Sequence, residues 1–201
     1  NVIFLNSNIE PTPAGMAIID FDARDKIGTS KPIAMTRTGW PDTPGTVFAG
    51  ATEILDTINW GIRYDVPVGQ NTASNNVFSY VAASIMAAQN GTVVTIDPDG
   101  TGPAGTTTCT LNEGESCVVG ALNQGATIIS TAPVQVDLIT GNAGADWRSD
   151  WTTLYPTESW SSSYYAPVGT ASSAPTRLYL YNPGSSSLTV KCDFASPNSS
   201  V

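Results

Sequence analysis

One pattern of aromatic, proline and glycine residues occurs twice in this chain, a hundred positions apart. Trp60-Gly61-Ile62-Arg63-Tyr64-Asp65-Val66-Pro67-Val68-Gly69 returns as Trp160-Ser161-Ser162-Ser163-Tyr164-Tyr165-Ala166-Pro167-Val168-Gly169. Upstream, Ile27-Gly28-Thr29-Ser30-Lys31-Pro32-Ile33-Ala34-Met35 returns as Ile128-Ile129-Ser130-Thr131-Ala132-Pro133-Val134-Gln135-Val136. Weaker echoes link Thr12-Pro13-Ala14-Gly15 to Gly102-Pro103-Ala104-Gly105, and Val77-Phe78-Ser79-Tyr80-Val81 to Arg177-Leu178-Tyr179-Leu180-Tyr181. Residues that set backbone shape recur, but no acid, base or metal ligand recurs with them. A duplication of this kind preserves form rather than chemistry, and it points to a scaffold, an adhesin or an assembly module.

The segments between these landmarks read as β-strands. Residues 2–5, 16–21, 33–37, 63–66, 77–82, 93–96, 106–111, 116–119, 127–130, 134–139, 164–166, 177–181 and 188–192 are short and rich in β-branched or aromatic residues. Gly, Pro, Asn, Asp or Ser bounds each of them. Many short strands at near-regular spacing predict a sandwich or barrel. Two stretches carry some helical pattern, the Ala-rich 81–89 and residues 51–58 with Ile54, Leu55 and Ile58. Residues 152–159, the counterpart of the second, contain Pro156, so each is read as a turn or two of helix at most. The expected fold is all-β: two tandem sandwich-like repeats, repeat A over 1–91 and repeat B over 92–201, which together form one unit or two.

Repeat A starts mid-unit and repeat B ends mid-unit. A strand lacking its neighbour exposes backbone N–H and C=O groups, which are costly when buried and association-prone when open. Either the ends pair within the molecule, or they pair between copies head to tail and make a filament unless rotation closes a ring. The terminal strands expected to do this contain Val2, Ile3, Phe4 and Leu5 at one end and Leu188, Val190 and Cys192 at the other.

Charge narrows the choice of partner. The formal net charge is −9 and charged residues make up 12% of the chain, about half the usual share. The eight basic residues are scattered singly, so neither nucleic acid nor an anionic membrane surface is an expected partner. No apolar run approaches the roughly 20 residues that span a bilayer. The chain opens at Asn1, so a leader has been removed or the sequence belongs to something longer. Low charge with abundant Ser, Thr, Asn and Gly fits an extracellular or cell-surface protein.

Cys109 and Cys117 flank Thr110-Leu111-Asn112-Glu113-Gly114-Glu115-Ser116, which reads as strand, turn, strand. A disulfide across such a hairpin suits an oxidising compartment, the alternative being two buried thiols. Cys192 has no evident mate. With no histidine, Ser-His-Asp and Cys-His catalysis are excluded. Carboxylates alone could serve glycoside hydrolysis, but Glu113 and Glu115 flank a solvated turn and no pair recurs in both copies. No enzyme is expected.

Calcium is the one cofactor the residues raise. Asp97, Asp99 and Thr101 place two carboxylates and a hydroxyl in a Gly-rich turn, a sequence that is also an ordinary β-turn. Trp60 and Trp160, at equivalent positions, are expected in the core. Trp147 and Trp151 stand in an unrepeated polar stretch and are candidates for a glycan site or an interface. Asn90 and Asn198 begin N-glycosylation triplets.

The run Asn90-Gly91-Thr92-Val93-Val94-Thr95-Ile96, then Thr110-Leu111-Asn112-Glu113-Gly114-Glu115 and Gly125-Ala126-Thr127-Ile128-Ile129-Ser130, leads into Pro133-Val134-Gln135-Val136, Leu154-Tyr155-Pro156, Trp160 and Tyr164-Tyr165-Ala166-Pro167. It resembles the repeated β-rich region of the IgGFc-binding-protein N-terminal family, over about 60–170 and more loosely in the flanks. The resemblance implies a secreted, non-catalytic surface or adhesive module. The expectation is therefore an extracellular structural protein, a filament protomer or adhesive repeat whose partners are copies of itself, with a carbohydrate-binding surface module as the alternative.

Overall fold

The computed structural model describes residues 27–39, 50–72, 76–141, 149–165 and 177–192. Among them run nine strands: β1 (Thr36–Gly39), β2 (Gly50–Glu53), β3 (Gly61–Asp65), β4 (Tyr80–Ala87), β5 (Thr92–Asp97), β6 (Thr107–Leu111), β7 (Ser116–Val119), β8 (Thr127–Gly141) and β9 (Ser149–Thr153). The only helical elements described are single 3-10 turns at Thr57–Asn59, Asn76–Phe78 and Thr157–Ser159. The fold is all-β. The strand signals at 2–5 and 16–21 lie outside the described residues.

β8 is the spine. It is 15 residues long and changes neighbours midway. Residues 127–130 lie between β5 and β3, residues 134–141 pair with β4, and residues 137–141 have β9 on their other side, all antiparallel. The switch falls at Thr131-Ala132-Pro133, which none of these ladders includes. Proline has no N–H to give a ladder, so Pro133 is tolerated at the one place where none is required. The pattern that reads as two strands in the sequence is therefore one strand serving two halves of a bent sheet.

β6 extends the sheet beyond β5, and β7 extends it beyond β4. The turn between β6 and β7 joins these outer strands, and a Cys109–Cys117 disulfide ties them with Cα atoms 6.6 Å apart. The sheet is thereby nearly closed on itself. Its interior is filled by Tyr64, Ile85, Ile96, Leu122, Ile128 and Val134, with smaller side chains between them. β3 and β4 precede residue 91 and β8 follows it, so the ladders cross between the two sequence copies.

Local helical pattern gives way to the sheet. Residues 81–89 are mostly strand β4, hydrogen-bonded to β8 on one side and β7 on the other, and bury Val81, Ala82, Ala83 and Ile85. Tertiary context of this kind overrides the helix propensity of alanine. Residues 51–58 become β2 followed by the first 3-10 turn. Residues 164–165, 177–181 and 188–192, expected as strands, have no ladder partner among the described residues. β9 gave no strand signal of its own in the sequence.

Candidate interaction surface

Two corners of the molecule are built alike. In the first, the Asp56 carboxylate accepts from the backbone N–H groups of Ile58 (3.0 Å) and Asn59 (3.2 Å), capping the turn Thr57–Asn59. Trp60 follows in extended conformation, and its indole N–H donates to the Leu55 carbonyl at 3.0 Å. The chain then enters β3 through a register shift between Gly61 and Arg63, where a bulge interrupts the ladder. The Tyr64 hydroxyl fills that gap. It accepts from the Gly61 N–H at 2.9 Å and donates to the Val134 carbonyl of β8 at 2.5 Å. Burial pushes the Tyr64 hydroxyl up to about 12, the Gly61 N–H pulls the other way, and the Glu158 carboxylate adds a further rise.

The second corner repeats two of these bonds, that of the indole and that of the tyrosine hydroxyl to the N–H three residues earlier. The turn Thr157–Ser159 follows Pro156, the Trp160 indole N–H donates to the Tyr155 carbonyl at 3.3 Å, and the Ser161 N–H donates to the Tyr164 hydroxyl at 2.7 Å. Trp60 and Trp160 share backbone angles as well, φ −75 and ψ 147 against φ −69 and ψ 148. Neither indole belongs to the core expected for it; each instead closes its own turn. The second turn lacks the carboxylate cap, Pro156 standing where Asp56 stands in the first, and the surroundings differ. Tyr64 is 1% exposed beneath β8, whereas Tyr164 is 73% exposed and Tyr165 96%. The Trp160 ring meets Tyr181 edge to face, 6.3 Å between centroids, and elsewhere Leu178, Leu180, Leu188 and Val190 are exposed too.

A third correspondence joins the β1–β2 hairpin to the β8–β9 hairpin. The Ile54 N–H donates to the Met35 carbonyl at 2.9 Å, and the Leu154 N–H donates to the Val136 carbonyl at 2.8 Å. The hairpins touch through polar side chains. Arg37 donates to the Asp137 carboxylate at 2.7 Å and lies over the Trp151 ring, 4.7 Å from its centroid. The Thr153 hydroxyl donates to Asp137 at 2.8 Å, which leaves its lone pairs for the Thr52 hydroxyl at 2.9 Å. A buried carboxylate held by a guanidinium and a hydroxyl fixes the mutual position of the hairpins.

The remaining sequence candidates fall as follows. Asp97 accepts from the N–H groups of Gly100 (3.0 Å) and Gly102 (3.1 Å), and Asp99 accepts from the Thr101 N–H (3.0 Å) and hydroxyl (2.8 Å). Those bonds, the Thr101 hydroxyl foremost, lower the Asp99 carboxyl below its usual range. These carboxylates thus shape the turn, and among the described residues no group of three or more His, Cys, Asp or Glu is placed to hold a metal ion. Gly100 stands at φ +68, and a Cβ there would meet the Gly125 carbonyl oxygen, so the turn needs glycine. Glu115 likewise serves its own turn, accepting from the Asn112 N–H at 2.9 Å.

Asn90 is exposed, with its side-chain oxygen accepting from the Glu113 N–H at 3.0 Å. Cys192 is an exposed free thiol. Trp151 stands on β9 under Arg37, at a contact within the chain. Val2, Ile3, Phe4, Leu5, Trp147 and Asn198 lie outside the described residues. Sequence reasoning missed the bridging tyrosine hydroxyls and the Arg37–Asp137 joint. The shared Thr-x-x-Trp spacing of Thr57–Trp60 and Thr157–Trp160 was the available signal for the corners.

Among protein families, the model described as IgGFc binding protein matches residues 29–193, a longer stretch than the motifs alone cover. No curated protein and no solved structure matches the chain.

Proposed function

The chain belongs to the IgGFc binding protein family, a family of extracellular binding modules rather than enzymes, and from that premise we propose that it is a non-catalytic structural protein of the cell exterior. It acts as a protomer of a surface filament or adhesive array and assembles with copies of itself through β-strand contacts. One observation carries this reading: the same Trp–Tyr corner is built twice, once sealed beneath a strand and once bare. An extended edge with correctly preset hydrogen-bonding groups recruits a strand through its main chain. The disulfide between β6 and β7 suits an oxidising exterior, and no described helix is long and apolar enough to cross a membrane. Light scattering and negative-stain microscopy of the purified chain test the proposal. Concentration-dependent polymers are expected, and a strict monomer at every concentration would overturn it.

A carbohydrate-binding surface module is the second reading. The exposed rings of Tyr155, Trp160, Tyr164 and Tyr165 favour it, since exposed aromatics offer flat apolar faces to sugars. Glycan-array binding that disappears on Tyr165→Ala would select it over assembly.

A further inference from the structure

The bare corner has a counterpart elsewhere in the same chain. In the sealed copy, β8 lies along β3 with Val134 opposite Gly61, Ile129 opposite Arg63 and Ile128 opposite Tyr64. The sequence counterpart of that part of β8 is residues 27–35, where Ile27, Gly28 and Ile33 stand for Ile128, Ile129 and Val134. The backbone bonds of Met35 and Val136 to Ile54 and Leu154 fix this alignment independently of the side chains. Yet Ile128 and Val134 are fully buried, whereas Ile27 is 40% exposed and Ile33 61%. Among the described residues, 27–33 is a spine with no ladder partner, and 161–165 is an edge with no spine.

Resting on the assembly reading above, we propose that residues 27–35 of one copy form the strand that seals the Trp160 corner of a second copy. The pairing is antiparallel, with Ile33 opposite Ser161, Gly28 opposite Ser163 and Ile27 opposite Tyr164. The Tyr164 hydroxyl, already accepting from Ser161, donates to the incoming Ile33 carbonyl, as Tyr64 donates to Val134. Charge agrees with this occupant. Residues 27–35 carry Lys31 and no acid, while residues 154–165 carry Glu158 and no cation.

A second copy suits the geometry better than closure within one chain. The Arg37–Asp137 and Thr52–Thr153 contacts hold the end of the 27–39 segment beside β9. The second corner is held against β3, where the Thr157 hydroxyl donates to the Arg63 carbonyl at 3.4 Å and Pro156 lies against Gly61. Both anchors are made in one molecule while, among the described residues, 27–33 and 161–165 have no ladder partner.

Cysteine crosslinking tests the assignment on the full chain in a Cys192→Ser background. A Cβ at Gly28 meets nothing within 4 Å, so Gly28→Cys is tolerated, and Ser163→Cys is its partner. Mixing the two single variants under mild oxidation should give a disulfide-linked dimer that neither gives alone. Thr29→Cys, one position out of register and on the opposite face, should crosslink at least about tenfold less. Crosslinking confined to the monomer of the double variant would overturn the second copy as occupant. Polymers by light scattering without the mixed crosslink would overturn this strand assignment and leave assembly standing. Neither polymers nor crosslink would overturn both.

Discussion

Tyr64 and Tyr164 accept the same hydrogen bond from the residue three positions earlier, yet one is sealed in the core and the other stands in solvent. The two corners therefore separate what local sequence determines from what a neighbouring strand determines. Thr-x-x-Trp and the following tyrosine are enough to set the 3-10 turn, the indole bond and the poised hydroxyl. They are not enough to make a strand, because β3 exists only where β8 supplies a ladder, and 161–165 has none among the described residues. In the proposed assembly, the corner without its spine serves as a half-site.

The largest effect should come from trimming the spine. Ile128→Ala removes a fully buried side chain from the sealed copy and should cost about 2–5 kcal/mol in urea unfolding. Ile27→Ala, at the corresponding position of the bare spine, should change the stability of the monomer by less than about 0.5 kcal/mol. A loss of several kcal/mol at Ile27 in the monomer would show that the two spines are equivalently packed and would break the comparison.

How far the sequence foretells this arrangement follows from the range of each interaction. The repeated Trp, Tyr and Pro-Val-Gly spacing of the corners is legible because it lies within ten residues, whereas the Tyr64 bridge to Val134 spans 70 positions and is not. The continuity of β8 is not legible, because Pro133 reads as a strand end until its neighbours are seen to change there. The alanines of β4 read as helix because propensity is local, while the ladders to β7 and β8 come from residues 30 or more positions away. The Arg37–Asp137 joint spans 100 positions, and neither partner stands out in the sequence. The hairpin disulfide was legible, its two cysteines being eight residues apart.

A smaller effect should separate the two hydroxyls. Tyr64→Phe removes the group that bridges the Gly61 N–H and the Val134 carbonyl. Two backbone groups are then left without that partner at the bulge, at a cost of about 2–3 kcal/mol. Tyr164→Phe should leave monomer stability within about 0.5 kcal/mol, because water replaces the hydroxyl at an exposed site. If the pairing between copies forms, Tyr164→Phe should instead raise the concentration needed to polymerise. Equal losses in the monomer for the two variants would mean that the second corner is already sealed.

The smallest effect sharpens the comparison by titration. Tyr64 carries its proton up to about 12 in the fold, against 10.0 for an unburied tyrosine. The folded state thus holds the proton more tightly, so this stabilisation is complete below pH 10 and is lost as the pH rises through about 12. At pH 11, midway through that window, the loss should be about 1.4 kcal/mol, from one pH unit of differential protonation. Burial raises the Tyr80 and Tyr181 hydroxyls as well, so total alkaline destabilisation does not isolate Tyr64. The informative quantity is the gap between the parent chain and Tyr64→Phe, measured by urea unfolding at pH 8 and again at pH 11. That gap should narrow by about 1.4 kcal/mol, because only the parent loses the Tyr64 contribution. An unchanged gap would mean that the bridging hydroxyl ionises as freely as an exposed one, and the sealed corner would then be open to water like its twin.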